Sequence, residues 1–232
     1  MSSLGTLLWL GYSLNRHKVG PLPLSGVALL VGTMAWVGVW RGWLSLLQAV
    51  AISLICWALA GIGLWARWQG YFRFRAEETS PPLDVPPPLP DERVPLCASG
   101  RFEVMHKRRD FVGAQAAFST MDSGEHVIMA HIPRSRFLLL GRWPLEEVGW
   151  WYIFLSPQAL LSITPGYLLF GPRPRPALEV RYRSKGGEEQ RVHLAFTDQG
   201  QRARVWAGLC KRRGKNETPA GSTAVNCGPL DS

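Results

Sequence analysis

The first 76 residues contain no carboxylate: all 17 acidic side chains of this 232-residue chain fall at Glu77 or later. The bases of that stretch are Arg16, Lys18, Arg41, Arg67, Arg73 and Arg75. Taking these six from the 26 Lys and Arg leaves 20 bases against 17 acids downstream, so the net charge of +9 divides into +6 and +3. A basic excess on an apolar segment fits a membrane anchor with charged flanks, and no nucleic-acid partner is expected. Cysteine is also sparse. Cys56, Cys97, Cys210 and Cys227 form no C-x-x-C pair, which indicates neither a zinc site nor a disulfide framework. Free thiols fit a reducing compartment. Catalytic signatures are missing too: there is no G-x-S-x-G, P-loop, H-E-x-x-H or Rossmann glycine pattern. His126 and His131 are an odd number of positions apart on a predicted strand, hence on opposite faces and poor joint ligands. Glu146-Glu147 reads as a surface turn. No catalytic residue, cofactor or metal is expected, and the chain reads as non-enzymatic.

From Leu22 to Ala66 the one charged side chain is Arg41. That run is about twice the ~20 residues a helix needs to cross a bilayer. It predicts a transmembrane hairpin over residues 21–67, with helices at about Pro21–Trp40 and Trp43–Arg67 and a reversal at Arg41-Gly42. Trp36, Trp40 and Trp43 cluster at one end, and Trp65, Trp68, Tyr71 and Phe72 at the other, as interfacial belts do. Small residues recur at helical spacing: Ala28 and Gly32 on the first span, Ser45, Ala49 and Ser53 on the second. Such a stripe lets helix backbones approach, either within the pair or against helices of another membrane protein. Bases flank the outer ends of the pair and only Arg41 lies in the turn. The chain is therefore expected in the cell membrane with two spans and both termini in the cytoplasm. Residues 1–20, with the apolar stretch Leu4–Leu14, read as an interfacial segment.

Seven prolines in Glu77–Pro95 predict an extended polyproline linker over 77–95, a spacer with a reach of up to about 50 Å. Residues 96–213 carry a mainly β pattern with a C-terminal helix, and 214–232 read as a disordered tail. The clearest hairpin sets Leu178, Val180 and Tyr182 against Val192, Leu194 and Phe196 around a Gly-Gly loop. Strand-like runs precede it at Arg101–His106, Val112–Phe118, Glu125–Ile132, Arg136–Leu140, Trp150–Leu155, Ala159–Ile163 and Tyr167–Phe170, with Thr164-Pro165-Gly166 read as a turn. Asp198 is set to cap a helix over Asp198–Arg213 whose apolar stripe is Val205, Trp206, Leu209 and Cys210, with Arg202 and Arg204 solvated.

The final hairpin, the strand succession and the helix bearing Trp206 resemble the pleckstrin-homology-like (PH-like) fold, and Trp151–Gly171 (WYIFLSPQALLSITPGYLLFG) is similar to hairpins of bacterial membrane-anchored members. Another small β-barrel or sandwich fits the same pattern. The resemblance implies a partly open barrel capped by the C-terminal helix, with Trp206 as its core anchor. It also implies that Lys107, Arg108 and Arg109, in the loop after the first strand, face anionic lipid headgroups or a partner. Arg134 and Arg136 would extend that surface. The expected role is a membrane-tethered binding or scaffolding module for a protein or anionic lipid. An accessory subunit packed through its two helices in a larger membrane complex is the alternative.

Overall fold

At Gly42 the backbone enters the left-handed region (φ 74°), and there the apolar run reverses. In a computed structural model of the chain, helix α2 (Leu24–Trp40) ends just before this glycine. The Gly42 N–H donates to the Val39 carbonyl at 2.9 Å and the Trp43 N–H to the Gly38 carbonyl at 2.8 Å. This Schellman pair satisfies the last carbonyls of α2. Helix α3 (Leu46–Gln69) then opens with a capping box, in which the Ser45 hydroxyl accepts from the Gln48 N–H while the Gln48 side chain accepts from the Ser45 N–H. Both ends of the turn thus close their own polar groups, the cap contributing about 1 kcal/mol.

The structure describes residues 3–80, 84–104, 107–121, 125–132, 149–184 and 186–211, and the side chains of all these except 101–104, 107–111, 132, 149–150 and 211. The segment Arg136–Leu140, the Glu146-Glu147 pair and the tail 214–232 lie outside them. The chain divides into two units.

The first unit is helical. α2 and α3 pack antiparallel along small residues: a Cβ at Gly32 would lie 2.8 Å from the Trp57 ring, and Gly38 sits beneath Leu44. Helix α1 (Ser3–Arg16) joins them through Gly11, where a Cβ would strike Ala66 and the Ile62 carbonyl. The Asn15 amide donates to the Gly63 carbonyl at 2.6 Å, and the Ser25 hydroxyl to the Asn15 side-chain oxygen at 2.7 Å. The expected interfacial segment is therefore a helix docked on α3. A two-residue ladder, β1 (Lys18–Val19) with β2 (Leu22–Pro23), occupies the residues where the first span was expected to start. Pro23 is extended, so α2 begins late and is 17 residues long. Among the described residues one helix, α3 with 24 residues, is long and apolar enough to cross a membrane by length and composition, and α2 is a shorter apolar helix. The expected pair of spans thus reduces to one candidate span and a shorter partner.

The second unit is an eight-stranded sheet in the order β3-β8-β9-β10-β4-β5-β6-β7. Its strands are β3 (Arg73–Ala76), β4 (Val94–Val104), β5 (Lys107–Thr120), β6 (His126–Ile132), β7 (Gly149–Leu155), β8 (Leu160–Leu169), β9 (Arg175–Arg183) and β10 (Glu189–Ala195). Among the described residues the sheet does not close, and β3 and β7 are its edges. Alternation in β9 and β10 sends Leu178, Val180, Val192 and Leu194 into one core with Phe118, Ile128, Leu155 and Phe196. Helix α4 (Gln199–Lys211) covers that core with Val205, Trp206 and Leu209, and the Asp198 carboxylate caps it by accepting from the Gln201 N–H at 2.8 Å. An extra residue in β5 bends the ladder: Gly113 (φ 62°) donates to the Ser99 hydroxyl at 2.8 Å, beside the register shift at Ala98/Gly100.

Three expectations change here. Thr164-Pro165-Gly166 is no turn but lies inside β8. The Pro165 carbonyl accepts from the Glu77 N–H at 2.9 Å, so the missing proline N–H also faces the short edge strand β3 and costs the β8–β9 ladder nothing. The proline-rich segment is no spacer ahead of the domain, because β3 precedes it and already belongs to the sheet. Its Pro88 is buried, Pro87 and Pro88 lie against Gly208 of α4, and Glu92 pairs with Arg204 at 2.7 Å. Arg202, expected in solvent, is 6% exposed.

Close packing at Gly32 gives a paired test. Gly32→Leu must force α2 and α3 apart and should destabilise the detergent-solubilised helical unit by about 1–3 kcal/mol. Gly61→Leu on the same hairpin, where an added Cβ meets nothing within 4 Å, should leave thermal stability nearly unchanged. Equal melting of the two variants would refute the packing.

Candidate functional site

Ser53 and Gly32 meet: the Ser53 hydroxyl donates to the Gly32 carbonyl at 2.7 Å inside the helix pair, and Ala49 is wholly buried. Ala28 is half-buried. Ser45 departs from the expected stripe, being exposed and committed to capping α3. Lys107, Arg108 and Arg109 stand at the start of β5 rather than in a loop, in register with Val104, Glu103 and Phe102. Their side chains lie outside the described residues, as do Arg134 and Arg136 altogether. The expected basic surface thus falls outside what the structure describes.

Other charges do converge. Register across β9 and β10 sets Glu179 opposite His193 and Arg181 opposite Arg191. All point away from the core, since their neighbours Val180 and Val192 point into it. Two arginines facing each other across a ladder repel. Here one carboxylate lies between them: Glu179 accepts from Arg181 Nε at 2.9 Å, contacts His193 Nε2 at 3.0 Å and stands 3.7 Å from Arg191. Burial alone would raise the Glu179 carboxyl. The hydrogen bonds from His193 and Arg181, with the charges of His193 and Arg191, outweigh burial and hold it at about 2.

A second polar centre joins α4 to β3. The Arg202 guanidinium donates to the Glu77 carboxylate at 2.7 Å, to the Gly166 carbonyl at 3.2 Å and to the Gln199 side chain at 2.9 Å, and it lies 5.7 Å over the Tyr167 ring. Gln199 in turn donates to the Tyr167 hydroxyl at 2.9 Å. Gly166 is where β3 comes closest: a Cβ there would strike the Arg75 carbonyl and the Phe74 ring. The register partner of Gly166 is Ala177, so two small residues leave a trough in the sheet. Along it the Phe74 ring reaches His193, centroid to centroid 5.3 Å.

The third feature is a cavity of about 580 Å³ beside the edge strand β7, lined by Tyr152, Phe154, Gln158, Tyr182, Arg183 and Gln190 among others. Tyr152 and Phe154 are half-exposed and stack at 6.4 Å. Tyr182 donates to Gln190 at 2.9 Å, and burial pushes its phenol up to about 12, so it stays a neutral donor.

Neither polar centre is evident in the sequence alone, although both leave a trace there. Arg202 precedes Val205 by three positions and Trp206 by four, which puts it on the buried stripe of α4. Glu179 is the acid among Arg181, Arg191 and His193 on one sheet face, but seeing that needs the register of the hairpin. No family model matches the chain, and neither the curated proteins nor the solved structures contain a match to it.

The Glu179 cluster predicts a pH dependence of known sign. A carboxyl held near 2, below its ordinary 4.5, stabilises the fold at neutral pH, and that share is lost as pH falls from about 4.5 towards 2. In acid titrations followed by tyrosine and tryptophan fluorescence, Glu179→Gln should be less stable than the parent at pH 7. The difference should shrink as pH approaches 2. A gap that is constant with pH would contradict the assignment.

Proposed function

We propose that the chain is a non-enzymatic, membrane-tethered binding module. Its α2 and α3 form a two-span hairpin with both termini on the cytoplasmic face, and its β unit recognises a protein there. One observation carries this reading: the helices expose what a water-soluble pair would bury. Trp40, Trp43, Leu47 and Trp68 are 81, 78, 80 and 82% exposed, while the faces turned inward hold small residues. Apolar surface on this scale is stable against lipid and unstable in water. α2 at 17 residues is about 26 Å long, a few ångströms short of a ~30 Å core. Trp40 and Trp43 at its end and modest bilayer thinning make up the difference. The arginines at the outer ends of the pair support the orientation.

For the β unit, the run β8-β9-β10-β4-β5-β6-β7 with α4 laid over the core supports a PH-like barrel left open at one seam. Tyr152 and Phe154 beside the cavity offer aromatic anchors of the kind protein interfaces use. Lys107, Arg108 and Arg109 add attraction to anionic headgroups of about 1 kcal/mol each near the surface. The accessory-subunit reading loses support, because Gly32 and Ser53 are spent on packing α2 against α3.

The hairpin is tested by labelling single-cysteine variants with an impermeant maleimide in intact cells. Trp43→Cys should label from outside, and Ser184→Cys only after permeabilisation. Extraction of the parent chain into the soluble fraction by alkaline carbonate, or labelling of Ser184→Cys from outside, would overturn the proposal.

A further inference from the structure

The edge of β8 beside α4 is covered by an extended segment, the chain's own Phe74–Glu77. β3 is four residues long and stands at the edge of the sheet, the least secure position in a ladder. Three features hold it, each specific for one chemistry. The Gly166 hollow admits a backbone at a distance that any side chain would forbid. The trough over Gly166 and Ala177, ending at His193, takes the flat ring of Phe74. Arg202, with its side chain 7% exposed, presents one cation at the rim and binds the Glu77 carboxylate at 2.7 Å. Phe74 and Glu77 are an odd number of positions apart, so they leave the strand on opposite faces, one towards His193 and the other towards α4.

Resting on the reading of the β unit as a binding module, we propose that this groove is a recognition site of the unit in addition to the Tyr152 and Phe154 surface. Its partner is an extended peptide segment with an aromatic residue and, three positions later, a carboxylate, which replaces β3 by strand addition. The occupant's chemistry is read from the resident copy. Buried and stripped of its anion, Arg202 needs another acid, so a segment lacking one is rejected. A covalently linked competitor acts at millimolar effective concentration, so the resident strand sets a threshold that only a matched or locally concentrated partner passes. Once β3 leaves, the chain after α3 is released as far as Pro87, Pro88 and Glu92, which keep their own contacts with α4.

The test uses the full chain in detergent micelles and a fluorescent synthetic peptide of residues 70–79. The F74A/E77A variant, with its resident strand weakened, should bind the peptide at least tenfold more tightly than the parent. A peptide carrying the same two substitutions should not bind, and adding R202A to the variant should abolish binding. In the parent, hydrogen exchange should find the Glu77 amide opening faster than the Val192 and Leu194 amides. Three results would sink the proposal. One is absence of peptide binding by F74A/E77A while the β9–β10 amides keep their protection. The others, loss of that protection in the variant and equal protection of Glu77 and Leu194 in the parent, would make β3 an integral strand. Because the peptide measurement needs no bilayer, a chain that labels as a two-span anchor yet refuses the peptide keeps the module reading and loses this groove.

Discussion

Glu77 is the first carboxylate along the chain, and it is bonded to Arg202 of the last helix. A guanidinium so far out of solvent is costly without an anion, of the order of several kcal/mol. The fold of the β unit is arranged to supply that anion. The entering strand must lie on β8, β8 must offer Gly166 so that the strand can come close, and α4 must place Arg202 over both. One ion pair therefore ties the start of the β unit to its end. The proline-rich return runs between the two ends that it joins.

The two units solve opposite problems with polar groups. In the helical unit polar atoms are few and are bonded in short chains, Asn15 to Gly63 and Ser25 to Asn15, so apolar surface dominates the outside. In the β unit the apolar surface is inside, and the polar groups gather where strands carry like charge. Arg181 and Arg191 face each other across the ladder because Glu179 lies between them. The same register that creates the repulsion delivers the group that cancels it.

Local rules made much of this legible. Alternation gave the β9–β10 hairpin to within a few residues, and the spacing of Val205, Trp206 and Leu209 gave the buried face of α4. Arg41-Gly42 marked the reversal because a left-handed residue at that point is nearly confined to glycine. Non-local pairing decided the rest. Pro165-Gly166 reads as a turn until β3 is seen lying beside it, and β3 itself is too short to carry a period. The proline-rich segment reads as a spacer because composition describes a free chain, whereas Pro88 is buried and Glu92 is paired. Arg202 reads as solvated because a base on a helix usually is, and its partner lies 125 positions away.

The closed turn at Gly42 has a wider consequence. The Schellman stop and the capping box meet almost back to back, leaving only Arg41 to Leu44 between two helices. Under the proposed two-span reading, this turn sets only Arg41 to Leu44 on the far side of the bilayer, too short a loop to fold into a receptor of its own.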